Sequence, residues 1–145
     1  MKMLAAVLRE IGAKRPYAAS KPVQIEEVEL APPQAGELVI KIAGGGLCHS
    51  DLSVINGNRP RPMPLVLGHE GSGEVVEVGA GVRDIKVGDP IVFQFSASCG
   101  VCSNCLAGKP QLCLTHDGAR AKGHLMAGGS RLTDEKGEEI AHQSG

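Results

Sequence analysis

Residues 68–82 read Gly68-His-Glu-Gly-Ser-Gly-Glu-Val-Val-Glu-Val-Gly-Ala-Gly-Val82, and their reading frames the rest of the chain. Val75, Val76 and Val78 are β-branched, and Gly79-Ala80-Gly81 marks a turn, so Gly73–Val78 reads as a strand. Just before it, the glycine-flanked pair His69-Glu70 sets an imidazole beside an acid in a loop. Downstream, the turn Val87-Gly88-Asp89-Pro90 leads into a second strand, Ile91–Phe95. Upstream, Leu38–Ala43 is a buried strand by composition, and Gly44-Gly45-Gly46 lets the chain turn without a Cβ penalty before Cys48.

Met3–Leu8 and Val23–Leu30 extend the pattern, the latter ended by Pro32-Pro33, which brings the expectation to at least five strands. Asp51–Ile55 fits a short helix. Arg59–Pro64 holds three prolines, which lack the donors that a helix or ladder needs, so it reads as an exposed loop. Thr115–Gly145 is polar and Gly-rich, with the charged run Asp134–Glu139 as a solvated turn between two weak strands.

The composition agrees. The 145 residues include 20 Gly and 9 Pro, where average usage gives about 17 of the two together, so turns are frequent and a large helical bundle is excluded. The length suits one domain over residues 1–145. Fifteen Lys and Arg against sixteen Asp and Glu leave a net charge of −1, which offers no basic field for nucleic acid or an anionic membrane surface. With only Tyr17, Phe93 and Phe95 aromatic, there is no stacking platform for bases either. The apolar start of the chain is broken by Lys2, Arg9 and Glu10, and no run approaches the ~20 apolar residues that cross a bilayer. A cytoplasmic protein is expected, and there five cysteines argue for metal or catalysis over disulfides.

Four of those cysteines, Cys99-x2-Cys102-x2-Cys105-x7-Cys113, fall within fifteen residues in a lobe of about 96–115 that is too poor in apolar groups for a core of its own. Four thiolates around a tetrahedral Zn²⁺ make a closed, structural site. The same ligands hold iron–sulfur clusters, although the usual run continues with x3 and Cys-Pro, and Cys113 comes four residues late; the spacing favours zinc. A second constellation pairs Gly46-Leu-Cys-His-Ser-Asp51 with Gly68-His-Glu-Gly-Ser-Gly73. A catalytic Zn²⁺ takes three protein ligands and an open position, and Cys48 and His69 supply two. Asp51 is the natural carboxylate to orient the His69 ring, and Glu70 is either a neighbouring acid or a transient ligand. His116, His124 and His142 have no partner at ligand spacing and read as ordinary surface or loop residues.

These residues resemble the zinc-dependent medium-chain alcohol dehydrogenases, from about Met3 to the end of the chain. Gly68-His69-Glu70-x2-Gly73-x5-Gly79-x2-Val82 fits the family's zinc signature at every fixed position, and the four-cysteine lobe has its x2, x2, x7 spacing. The resemblance implies a mainly β fold, a GroES-like partly open β-barrel with few short helices and a zinc lobe. Cys48 and His69 match the first two ligands of the catalytic zinc, and Ser50 matches the hydroxyl that takes the alcohol proton. His49 matches the basic residue that meets the cofactor pyrophosphate, Asp51 the acid behind the zinc-bound His, Glu70 the acid behind the metal, and Phe95 a wall of the substrate pocket.

The implied activity is interconversion of alcohols with aldehydes or ketones, using one catalytic and one structural zinc and NAD or NADP, in a homo-oligomer. The family continues with a third ligand, a Cys, and then a Rossmann nucleotide-binding domain; neither is among these residues. Gly71-Ser-Gly73 and Gly79-Ala-Gly81 are not dinucleotide fingerprints, because Val76 and Asp84 stand where Gly or Ala is needed. The 145 residues alone are therefore expected to bind zinc, lack turnover, and self-associate through an uncovered apolar face. Ser53 stands where many members place a proton-relaying His. Two rival classes remain open at this point: a small metal-binding or iron–sulfur electron-transfer module, and a zinc-stapled interaction domain.

Overall fold

The computed structural model describes residues 1–143. Small apolar and charged side chains share Lys2–Leu8 (β1) and Val23–Leu30 (β2), which pair antiparallel along their length, with Lys2 opposite Glu29 and Leu8 opposite Val23. Ala5, Val7 and Val28 turn inward and are buried. Glu27 turns outward and takes an ion pair from Lys2, whereas Glu26, half-buried on the face of Ala5 and Val28, takes one from Arg9, each at 2.6 Å.

Leu65–Val66 (β4), Leu132–Thr133 (β7) and Glu139–His142 (β8) complete a ring in the order β1-β2-β7-β8-β4. Its interior holds a cluster of Ala5, Val7, Val28, Leu132 and Ile140, while Leu8, Leu65 and Ala141 form a second cluster on the opposite face of β1 with Val54 of the helix His49–Ile55. Each fully buried aliphatic side chain among them contributes about 1.5–3 kcal/mol. Leu38–Gly45 (β3), Gly71–Val78 (β5) and Pro90–Val92 (β6) form a separate sheet in the order β3-β5-β6. The mainly β expectation holds: five strands close a barrel, and the eight strands do not share one continuous ladder.

Arg131 fastens the two sheets together. It donates to both carboxylate oxygens of Glu37, at 2.7 and 2.9 Å, and to the Gln34 side chain at 3.0 Å. The pair therefore joins the residue before β3 to the residue before β7, and both side chains are largely buried.

The structure moves several boundaries. β3 runs on to Gly45 and β5 begins at Gly71, because Gly44 and Gly45 pair with Ser72 and Gly71 beyond a register shift. β6 stops at Val92, short of Phe95, because β5 offers nothing further after Gly71 has accepted the Phe93 N–H at 2.8 Å. The two weak strands expected late in the chain are β7 and β8. Ser144 and Gly145, the end of that stretch, lie outside the described residues.

The helices are short: Tyr17–Ser20 (α1), His49–Ile55 (α2), Ser103–Leu106 (α3) and Leu114–Ala121 (α4), with a 3-10 turn at Pro110–Leu112. The sequence reading has no counterpart for α4. Gly118 masks it, but the Cys113 sulfur accepts the His116 N–H at its start, and Asp117 and Arg120 match the helix dipole at either end. His116 thus lies on a helix and His142 on a strand, half-buried, and neither is an ordinary loop residue. No described helix is long and apolar enough to cross a membrane.

Candidate metal centres

The cysteine lobe brings the sulfurs of Cys99, Cys102, Cys105 and Cys113 within 4.8 Å of one another. Backbone N–H groups point at them: Cys102 N donates to the Cys99 sulfur and Cys99 N to the Cys113 sulfur, both at 3.3 Å, and His116 N to the Cys113 sulfur at 3.4 Å. Such donors favour thiolates. Cys99 is held down to about 6, chiefly by the Thr115 hydroxyl and then by the backbone of Val101 and Cys102. Burial and the neighbouring Cys102 push Cys105 up to about 11. Four gathered thiols cannot all ionise without a cation, so this donor set fits a thiophilic metal such as zinc.

The second centre is assembled from separate elements. β3 ends in glycines, and Cys48 caps the N-terminus of α2, where the Asp51 carboxylate accepts the Cys48 N–H at 2.9 Å. Gly68, at φ +113°, makes the turn that delivers His69 to the start of β5. Gly46 N donates to the Glu70 carbonyl at 2.8 Å, and a Cβ on Gly46 would displace the Glu70 carboxylate from its place beside Cys48 and His69. One ligand atom each from Cys48, His69 and Glu70 then lies within 4.8 Å of the others.

The surroundings of His69 are as specific. Its Nε2 is 3.1 Å from the Ser50 hydroxyl, and its Nδ1 is 3.3 Å from Asp51 Oδ1, a buried oxygen with no hydrogen-bond partner among the described residues. A cation on Nε2 would place the proton on Nδ1, facing that oxygen, so the orphaned carboxylate oxygen fits a metal-bound imidazole. The His49 ring is exposed and 3.4 Å from the Ser53 hydroxyl.

A cavity of about 620 Å³ opens beside the cluster, with Cys48, Ser50, His69, Glu70, Phe93 and Phe95 among its lining residues. The structure thus brings Cys48, Ser50, Asp51, His69, Glu70 and Phe95 together, while His49 is neither in the cluster nor among the cavity's lining residues. Sequence reasoning missed Gln143, whose amide lies 3.2 Å from His69 Nδ1 and whose oxygen accepts the Gly68 N–H at 3.2 Å. It also missed Arg59, Arg61 and Arg120 in the cavity wall. Nothing marks Gln143 in the sequence; the Arg59-Pro60-Arg61 doublet is visible there, within a stretch read only as an exposed loop.

Barrel, separate sheet and paired thiol-bearing centres define a metal-binding β-barrel domain. The profile of the alcohol dehydrogenase GroES-like domain matches residues 34–133, and the chain belongs to that family. It is 41% identical to the S-(hydroxymethyl)glutathione dehydrogenase of Synechocystis sp. over 146 aligned residues, covering 100% of this chain and 37% of that protein. The Escherichia coli protein of the same name is also 41% identical, over 89% of this chain and 35% of its own length.

Among solved structures, an alcohol dehydrogenase zinc-binding domain protein from Burkholderia ambifaria superposes with a TM-score of 0.85 at 33% identity, over 99% of this chain and 36% of that one. Benzyl alcohol dehydrogenase from Acinetobacter calcoaceticus gives 0.81 at 30%, with the same coverage. The chain spans little more than a third of the length of these relatives.

Proposed function

We propose that this chain is the catalytic, metal-holding domain of a zinc-dependent enzyme that interconverts alcohols with aldehydes or ketones using NAD or NADP. The observation that carries the reading is the convergence of Cys48, His69 and Glu70 at a cavity beside the Ser50 hydroxyl. In this reading Cys48 and His69 hold the catalytic zinc with Glu70 behind it, while Cys99, Cys102, Cys105 and Cys113 hold a structural zinc. When bound, the catalytic ion supplies a Lewis acid and the nicotinamide a hydride acceptor.

The protein's own groups do the rest. The Ser50 hydroxyl accepts the proton of the alcohol, and Asp51 keeps the His69 ring in the orientation that leaves Nε2 free. Phe93 and Phe95 form an apolar wall against the substrate, and exposed His49 faces the cofactor pyrophosphate. With Ser53 in place of a relaying His, the proton leaves through water. The nucleotide is held by a Rossmann domain outside these residues, in a cytoplasmic homo-oligomer. Leu4 and Ile25, each 70% exposed on the paired strands β1 and β2, belong to the apolar face through which the chain alone self-associates. An electron-transfer module is disfavoured, since the relatives are dehydrogenases.

Elemental analysis of the chain purified without added metal tests this reading. Zinc is expected, with Cys105→Ser removing the lobe ion and Cys48→Ser any second one. One zinc per chain means the cavity site holds its ion only with the rest of the longer protein, and two mean that it does so unaided. Iron with sulfide overturns the reading, whereas turnover of an alcohol by these residues and NAD alone would overturn only the expectation that they are inactive by themselves.

A further inference from the structure

Three of the chain's seven arginines, Arg59, Arg61 and Arg120, line the cavity that also holds Cys48, His69 and Glu70. They reach it from separate parts of the chain, the loop after α2 and the last turn of α4, so their meeting is made by the fold. Among the described lining residues, Glu70 is the single carboxylate, and it is committed to the Cys48–His69 cluster.

The guanidinium groups are poorly compensated from within. Arg61 spends one nitrogen on the Arg120 carbonyl at 2.9 Å, and Arg120 spends one on Asp117 at 2.9 Å, a side chain that is itself mostly exposed. The Nε atoms of Arg61 and Arg120 are buried and have no hydrogen-bond partner among the described residues. Burial, and then the like charges of Arg120 and Arg59, push Arg61 below its ordinary range, with Asp117 alone opposing. Like charges gathered at a half-buried wall destabilise a fold unless an anion joins them, and planar guanidinium donors match a carboxylate or phosphate in two-pronged hydrogen bonds.

We propose that Arg59, Arg61 and Arg120 form an anion-recognition subsite, so that the alcohol or aldehyde taken here carries a carboxylate or phosphate group. The reacting carbon lies toward Ser50, the apolar middle of the substrate lies against Phe93 and Phe95, and the anionic end meets the arginines. This deepens the dehydrogenase reading and rests on it for the chemistry at Ser50. The anion subsite itself needs only the three guanidinium groups.

Calorimetric titration of the chain with para-(hydroxymethyl)benzoate, benzyl alcohol and inorganic phosphate tests the proposal. The carboxylated alcohol is expected to bind about tenfold or more tighter than the neutral one, with an advantage that shrinks as salt rises. Phosphate competing with it supports the subsite and extends it to phosphorylated substrates. Arg59→Gln, on the exposed side of the wall, and Arg61→Gln should each remove about a tenfold share of that preference and leave benzyl alcohol unaffected. Lys109→Gln, the same loss of charge outside the cavity, should change nothing.

Should Arg61→Gln fail to fold, as its thermal midpoint would show, Arg59→Gln decides alone. Equal affinity for the charged and neutral alcohols, no binding of either, or an equal effect of Lys109→Gln overturns the proposal. Metal content on the same samples separates it from the reading beneath: zinc with no anion preference sinks only the subsite, whereas arginine-dependent anion binding to a chain that holds iron and sulfide sinks only the dehydrogenase.

Discussion

The barrel and the cysteine lobe are stabilised by opposite means. In the barrel and the α2 helix packed on it, Leu8, Leu65, Ile140 and Val54 are fully buried, and the fold rests on removing them from water. In the lobe, Val101 and Leu106 are about three-quarters exposed, Leu112 and Leu114 more than half, and Cys113 alone is buried. With zinc held there as proposed, its order depends on the four sulfurs, and one domain then contains a region that folds by burial and a region that folds by ligation. The Cys48–His69–Glu70 cluster lies between these extremes: its ligands are metal-type, but β3, α2 and β5 place them.

Metal removal should break this contrast open most widely. Structural zinc is worth ~10–16 kcal/mol in small finger peptides, far more than any contact within this lobe. Chelation is expected to abolish amide-exchange protection across residues 99–115 while β1, β2 and β8 keep theirs. Loss of both regions in one transition would show that they form a single cooperative unit.

The reciprocal test strikes the barrel. Leu65→Ala should cost about 2–5 kcal/mol in denaturant unfolding and leave the lobe metal in place. Glu37→Gln removes the partner of buried Arg131 and should cost about 3–5 kcal/mol. Although burial works the other way, the Arg131 hydrogen bonds and the Gln34 N–H hold the Glu37 carboxyl below its ordinary value. Its contribution is therefore complete above about pH 4.3 and lost as pH falls through the lower folded value. Glu37→Gln should flatten that acid limb.

A smaller effect probes the middle case. Asp51→Asn retains the shape of the cap at Cys48 but removes the charge facing His69 Nδ1, and should weaken zinc at the Cys48–His69 site by about 10–100-fold. Competition with a colorimetric chelator should find the lobe ion unchanged. A loss at both sites would mean that Asp51 acts on the whole fold.

The same contrast explains what could be read in advance. The lobe is local: four cysteines within fifteen residues state their own geometry, and spacing suffices. The strands of the three-stranded sheet declare themselves through β-branched runs and glycine turns, though their ends depend on partners, as Gly45 and Phe95 show. The second centre needs two loops brought together, and the glycine-flanked Cys48 and His69 hint at it without fixing the contact. Gln143, Arg120 and the Arg131–Glu37 pair carry no local signature, because their roles arise from side chains 74 to 94 positions away or from a helix that Gly118 conceals.

The least of the expected effects separates the regions by proton uptake. His142 Nε2 accepts the Arg131 N–H at 3.2 Å, and burial, then the Arg131 charge, lowers the pKa of the ring. A folded state that prefers the neutral ring keeps its full contribution above the unfolded value of about 6.5 and loses it as pH falls through the folded one. Protonation takes the lone pair that the Arg131 N–H uses and sets a second cation beside Arg131. Between neutrality and about pH 5.5 the wild type should lose roughly 1 kcal/mol that His142→Gln, with an uncharged acceptor, does not lose. The lobe also weakens in acid as its thiolates take protons, so the difference should be read from exchange at Ile140 and Ala141 in β8. If it arose only at residues 99–115, the pH response would belong to ligation and the barrel would be silent.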